Sequence, residues 1–451
     1  MIERPKLRNV EPVPAEVNGR RVIALRDPHQ IAEKMIAVPE DIFFILTLFD
    51  GEHTVLDIQA EYMRRYGELI FSDRVREIIE MMDESFLLES ERFEARRCEV
   101  VEKFRCARVR PPSHAGNGYE ASKARLRAQL DSFFEPPEGP GAPAPRPGAP
   151  PLDVLGAALS AAERPPVKGI IAPHIDLLRG GHCYAHAWHA LAEACEAETF
   201  VILGTVHVPM KNFFTATCKS FKTPIGQMAA DGEFIDALAK RLGERLFEDE
   251  YVHKFEHSIE FQVIFLQHML GGGAKARIVP VLCSSFLEAA KAGPSTMLRA
   301  AMSGSALLTA PSLSRGLSNG GGPQAVPEVK EFVAALKKCV AASGKRVCLV
   351  ASADLAHVGP RFGDRRPLSA VALSDVESED REMLQHVEKL DADGFYRSIA
   401  KDDDARHICG FPPIYILLRT IAASEGKLLR YAQAADPSGH GCVSFAAMAF
   451  T

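Results

Sequence analysis

From Val167 to the C-terminus, short apolar runs alternate with helix-like ones, and this alternation restricts the fold more than any other feature of the chain. VKGIIAPH, TFVILGTVH, ARIVPVLC, RVCLVASADLAH and CVSFAAMAF are β-rich, whereas AHAWHALAEACE, SIEFQVIFLQHML, EVKEFVAALKKCVAA and PIYILLRTIAA are helix-like. Strands interleaved with helices pair into a sheet whose faces the helices cover. The expected fold of residues 167–451 is therefore α/β, with a mixed, mostly parallel sheet covered by helices.

Three of the strand-like runs end in polar residues that are out of place in a core. IIAP ends in His174, with Asp176 two residues on; VILGTV ends in His207; LVASA ends in Asp354, with His357 three residues further. Ligands of open α/β sheets bind beyond the carboxyl ends of the strands, where the loops converge. A fourth contribution comes from HICGFPPIYILLRT, where Cys409 and Gly410 precede Pro412 and Pro413, residues that suit a first helical turn. A thiol at a helix N-terminus feels the positive end of the macrodipole, which favours its thiolate. Two imidazoles and a thiolate suit iron, copper or zinc, and three protein ligands leave positions open for water, dioxygen or substrate.

Taken singly, each residue has a plainer reading. A histidine at a strand end is more often a hydrogen-bonded structural residue, and a cysteine ahead of a helix is usually just buried. His186 and His189 read as a helical face and His268 as surface, while the EHS at the start of the next helix is able to face the pocket.

Residues 1–105 read as a small helical module. PEDIFFILTLFDG has a proline at its start, Gly51 at its stop and apolar residues nearly all round, so a buried helix is expected. Thr54 followed by Asp57 resembles a capping box, and Val75, Ile78, Ile79, Met82 and Phe86 fall on one face of a third helix. The alternating stretches NGRRVIALRD and SFLLESERFEA suggest strands on either side of three helices, the order a winged-helix-like α+β domain needs. Residues 106–166 form an opening segment and a Pro/Gly/Ala-rich connector, and 312–328 reads as a flexible loop within the larger domain.

A net charge of −6 shows no basic surplus for nucleic acid, and no apolar run approaches the roughly 18 residues of a membrane helix. The N-terminus lacks the apolar core of a secretory signal. The ten cysteines are scattered without a CxxC pair, as expected of thiols in a cytoplasmic protein.

KGIIAPHID, ILGTVH, KTPIG, EHSIEFQ, ASADLAHVGPRFG, CGFPPI and LLRYAQAADPSG follow, in order and spacing, the pattern of the Memo family, whose bacterial members are called AmmeMemoRadiSam system protein B. RPPSHAGNGYEASKARLRAQLDSFF resembles the family's opening segment. The resemblance implies a fold similar to class III extradiol dioxygenases. It implies metal ligands at His174, His207 and Cys409, with Asp354 and His357 as catalytic pocket residues. It also implies a metal-dependent redox or oxygen-handling role with iron first, copper or zinc as alternatives, and radical-SAM and AMMECR-type proteins as partners. The dioxygenases carry a carboxylate where this chain has Cys409, which puts ring cleavage in doubt. Residues 1–105 resemble PqqD-like domains, which implies a peptide ligand added to a sheet edge. Two alternatives stand beside the redox reading: a peptide- or phosphopeptide-binding adaptor without catalysis, and a hydrolase with Cys409 as nucleophile, His357 as base and Asp354 as orienter.

Overall fold

The computed structural model describes residues 2–32, 34–141, 166–195, 197–270, 276–291 and 321–451. The chain divides into two compact units, Met1–Ala107 and Arg108–Thr451.

In the first unit, β1 (Glu11–Val17) and β2 (Arg20–Arg26) form an antiparallel hairpin, and β3 (Ile36–Val38) pairs with the other edge of β2. The turn is Asn18–Gly19, with φ of 52° and 74°, the left-handed pair that matches strand twist. Four helices follow: α1 (Glu40–Thr47), α2 (Val55–Tyr66), α3 (Ser72–Glu84) and α4 (Glu91–Cys106). The Thr54–Asp57 capping box forms at the start of α2, and Val75, Ile78, Ile79 and Met82 bury one face of α3. Phe86 lies past the end of α3, at φ 59°.

Two expectations for this unit fail. Only Ile45 and Leu46 of α1 are fully buried, and the helix closes at Leu48, before Gly51. SFLLESERFEA forms no strand beyond a single bridge from Leu88 to Leu7. From Glu91 it is helical, because the Ser90 hydroxyl accepts from the Phe93 N–H and Glu91 and Glu94 sit in the first turn. Arg97 pairs with Glu94 three residues away, so local charge and capping outweigh a short apolar alternation. The strands of this unit therefore all precede its helices.

The second unit opens with β4 (Val109–Arg110) and α5 (Lys123–Ser132). Next come β5 (Gly169–Ala172), α6 (Leu177–Ala194), β6 (Thr199–Thr205), β7 (Phe214–Ala216), β8 (Ser220–Lys222) and β9 (Gln227–Met228). Helices α7 (Gly232–Leu242) and α8 (Ser258–Leu270) lead to β10 (Arg277–Cys283). Then follow α9 (Pro327–Ala342), β11 (Val347–Ser352), β12 (Asp354–Val358), α10 (Ala370–Glu388) and α11 (Ala392–Ala400). The chain ends with α12 (Phe411–Thr420), β13 (Gly426–Ala435) and β14 (Cys442–Phe450).

The main sheet runs β12–β14–β5–β11–β6–β10–β7, with β13 on β14. It is mixed, as expected, but the parallel part is confined to the central β5, β11, β6 and β10. The strands outside that centre pair antiparallel. Val201, Leu203, Val279, Val281, Leu349 and Ala351 alternate along their strands into one core that also takes α9 and α12 residues such as Phe332 and Ile414. On α6 and α8, buried Trp188, Phe265 and Leu266 complete the interior.

Of the expected connector, residues 142–165 lie outside the described residues, as do 312–320 of the expected loop. The remainder of that loop is ordered: Pro323–Ala325 makes a 3-10 turn and Pro327 opens α9. No helix among the described residues is long and apolar enough to cross a membrane.

Candidate metal centre

The carboxyl ends of the parallel strands deliver the expected residues to one place. β5 stops at Ala172, and Pro173 turns the chain so that His174 is buried over the sheet end. The His174 N–H donates to Asp354 Oδ1 at 2.9 Å. Its ring faces the Ser352 carbonyl, 3.0 Å from Nδ1; a carbonyl only accepts, so Nδ1 carries the proton and Nε2 keeps its lone pair. His207 follows β6 and is held by Glu256, with Nδ1 3.1 Å from Oε2 and the backbone N–H donating to the same oxygen at 3.0 Å.

Glu256 also holds a third imidazole. His257 donates its backbone N–H to Oε1 at 2.7 Å and its Nδ1 lies 3.0 Å from that oxygen, while the Ser258 N–H donates at 3.0 Å. One buried carboxylate therefore caps α8 and orients two rings, leaving Nε2 of both free. Gly204 makes the arrangement sterically feasible: a Cβ there would stand 2.6 Å from Ser258 Oγ, so only glycine lets the start of α8 press onto β6. One donor atom from each of His174, His207 and His257 lies within 4.8 Å of the others, a group able to hold a metal ion.

Cys409, half-buried ahead of α12, places Sγ 3.3 Å from His174 Nε2. Gly410 permits this approach, since a Cβ would come within 2.3 Å of the Asp354 carbonyl oxygen. Asp354 and His357 both belong to β12, where a bulge between them shifts the register against β14. Residues three apart in a regular strand face opposite sides; the extra residue turns both toward one side.

Electrostatics treat the donors differently. Burial, then the neighbouring His207 and His257, keep the His174 imidazole well below its ordinary pKa. Burial alone would lower His207, but the Glu256 carboxylate outweighs it and raises the ring. Burial would raise Glu256, yet the two imidazoles hold it well below the usual carboxylate range. Burial and then Asp354 push the Cys409 thiol well above its usual value, and burial lowers His357.

A family profile described as Memo-like protein matches residues 110–302 and 324–449. The chain belongs to the Memo-like family. A MEMO1 family protein of Aquifex aeolicus is 26% identical over 429 residues, covering 94% of this chain and 95% of the relative. Those of Sulfolobus acidocaldarius and Methanopyrus kandleri are each 27% identical, over 73% and 76% of this chain and 94% and 98% of their own.

All five residues singled out in the sequence lie inside the Memo-like match, and the fold brings them together. Sequence reasoning had the EHS of Glu256–Ser258 able to face the pocket but gave neither Glu256 nor His257 a role. Both sit where 3-10 turns at Glu250–Lys254 give way to α8, with no strand periodicity to aim them. The usable signal was the tripeptide EHS itself, a carboxylate beside an imidazole at a helix start.

Proposed function

We propose that the Memo-like unit is a metal-dependent redox or oxygen-handling centre, with His174, His207 and Cys409 as ligands and iron or copper as the metal. The observation that carries this reading is the orientation of the donors: Nδ1 of His174 is tied to the Ser352 carbonyl and Nδ1 of His207 to Glu256, so their Nε2 atoms turn to the centre, where Cys409 Sγ lies 3.3 Å from His174 Nε2 and His257 stands as a further imidazole. An outer partner on the far ring nitrogen is the usual support of a metal-bound imidazole. Nitrogen and sulfur donors fit iron, copper or zinc and discriminate against magnesium or calcium. When bound, an iron or copper ion supplies one-electron chemistry and open coordination positions. Asp354 receives the His174 backbone N–H and fixes the main chain that carries that ring, while His357, whose burial favours the neutral form, accepts or returns a proton at its free Nε2.

Elemental analysis of protein purified anaerobically without added metal tests the reading. Near-stoichiometric iron or copper is expected, falling sharply in His174→Ala and Cys409→Ala; wild-type protein without transition metal contradicts it.

A second reading concerns the first unit, whose sheet is open at β3. Pro12 and Pro14 block β1, because proline on an edge strand donates nothing. Among the described residues, nine of the eleven exposed large apolar side chains, including Leu56, Met63 and Phe71, lie in this unit. An extended peptide adding to β3 suits these features. Titrating the full-length protein with leader peptides from its gene neighbourhood is the test, and no binding across the set removes the idea.

A further inference from the structure

The three histidines stand next to regular elements, but Cys409 arrives on an unusual loop. Asp403, Asp404 and His407 adopt φ of 63°, 57° and 51°, a left-handed backbone that residues other than glycine seldom adopt. Asp404 Oδ1 accepts the Ile408 N–H at 2.8 Å, and a buried ion pair behind β12 also holds the loop. Arg406 donates from Nη1 to Asp380 Oδ1 at 2.5 Å, and both side chains are at least nine-tenths buried. Tyr431 donates to Asp380 Oδ2 at 3.0 Å, and the Ser444 hydroxyl donates to the same oxygen at 2.5 Å.

Two members of this network reach β12. The Arg406 carbonyl accepts the His357 N–H at 2.7 Å, and Ser444 Oγ accepts the Ala356 N–H at 2.9 Å. The bulge that turns Asp354 and His357 to one side is thus held by the same carboxylate that anchors the thiol-bearing loop. We propose that Asp380, which touches neither donor, is a positioning residue: through Arg406 and Ser444 it sets both His357 and Cys409 in the centre. The inference rests on the metal reading for its spectroscopic arm only.

Full-length Asp380→Asn tests it by two independent measurements. Peptide mapping after iodoacetamide should show faster alkylation of Cys409 than in wild type. Titration with cobalt(II) should show a weakened thiolate charge-transfer band and affinity reduced about tenfold or more, the loss typical of outer-partner mutations. Ser444→Ala removes a single hydroxyl and should move both readouts in the same direction if Asp380→Asn fails to fold. Glu379→Gln, which alters only the half-exposed partner of the same arginine, should leave them at wild-type values. Folded Asp380→Asn or Ser444→Ala protein with wild-type alkylation and cobalt spectrum would overturn the proposal. Absence of cobalt binding in wild type would instead sink the metal reading, leaving alkylation to decide on Asp380.

Discussion

Glu256 concentrates the chemistry of the centre in one side chain. Its two oxygens receive three backbone N–H groups and two imidazoles, so replacing one oxygen by an amide leaves one ring and the backbone N–H beside it without their acceptor. Glu256→Gln should lower metal affinity by roughly 10–100-fold, read by competition with a chelator. Gly410→Ala probes the other side, where a Cβ meets the Asp354 carbonyl. It should destabilise by about 1–3 kcal/mol through overpacking, seen as a lower urea midpoint. At this scale His174, His207 and Asp354 were legible because apolar strands end on them. Glu256 was not, because its role depends on α8 meeting β6 at Gly204, a contact that no local pattern encodes.

Among the elements, α8 carries a second organising carboxylate one turn beyond the first. Glu260 is fully buried and pairs with Arg110, the Tyr119 hydroxyl, and Ser113 Oγ and N–H, which fastens the opening segment to the unit. Arg110→Met leaves this carboxylate without its cation and should cost roughly 3–5 kcal/mol in denaturant unfolding. Burial would raise Glu260, but contacts with His114, Arg110 and Tyr119 outweigh it and hold the group far below its usual pKa. An unfolded glutamate, at about 4.3, takes up a proton first, so this contribution is present above that pH and is lost as pH falls below it. Acid titration of wild type should show that loss, and the limb should be shallower in Glu260→Gln. The α4 segment shows where element reading fails: SFLLESERFEA alternates like a strand, yet Ser90 and the Glu94–Arg97 pair make it helical.

For the whole molecule, the order of strand-like and helix-like runs sufficed to expect a sheet with a site at its carboxyl edge. It overstated the parallel share, since β12 and β14 are apolar strands like the rest and their direction depends on how far the chain must travel to return. The thiol's proximity was also expected, although its support by Asp380 and Arg406 lies outside every motif. The central claim is that a metal ion sits where these loops meet. An anomalous-difference map from crystals of the full chain, collected at the iron and copper edges, tests it most directly. One peak within bonding distance of His174 and His207 Nε2 is predicted; density at full occupancy elsewhere, or none between those rings in metal-replete protein, would contradict it.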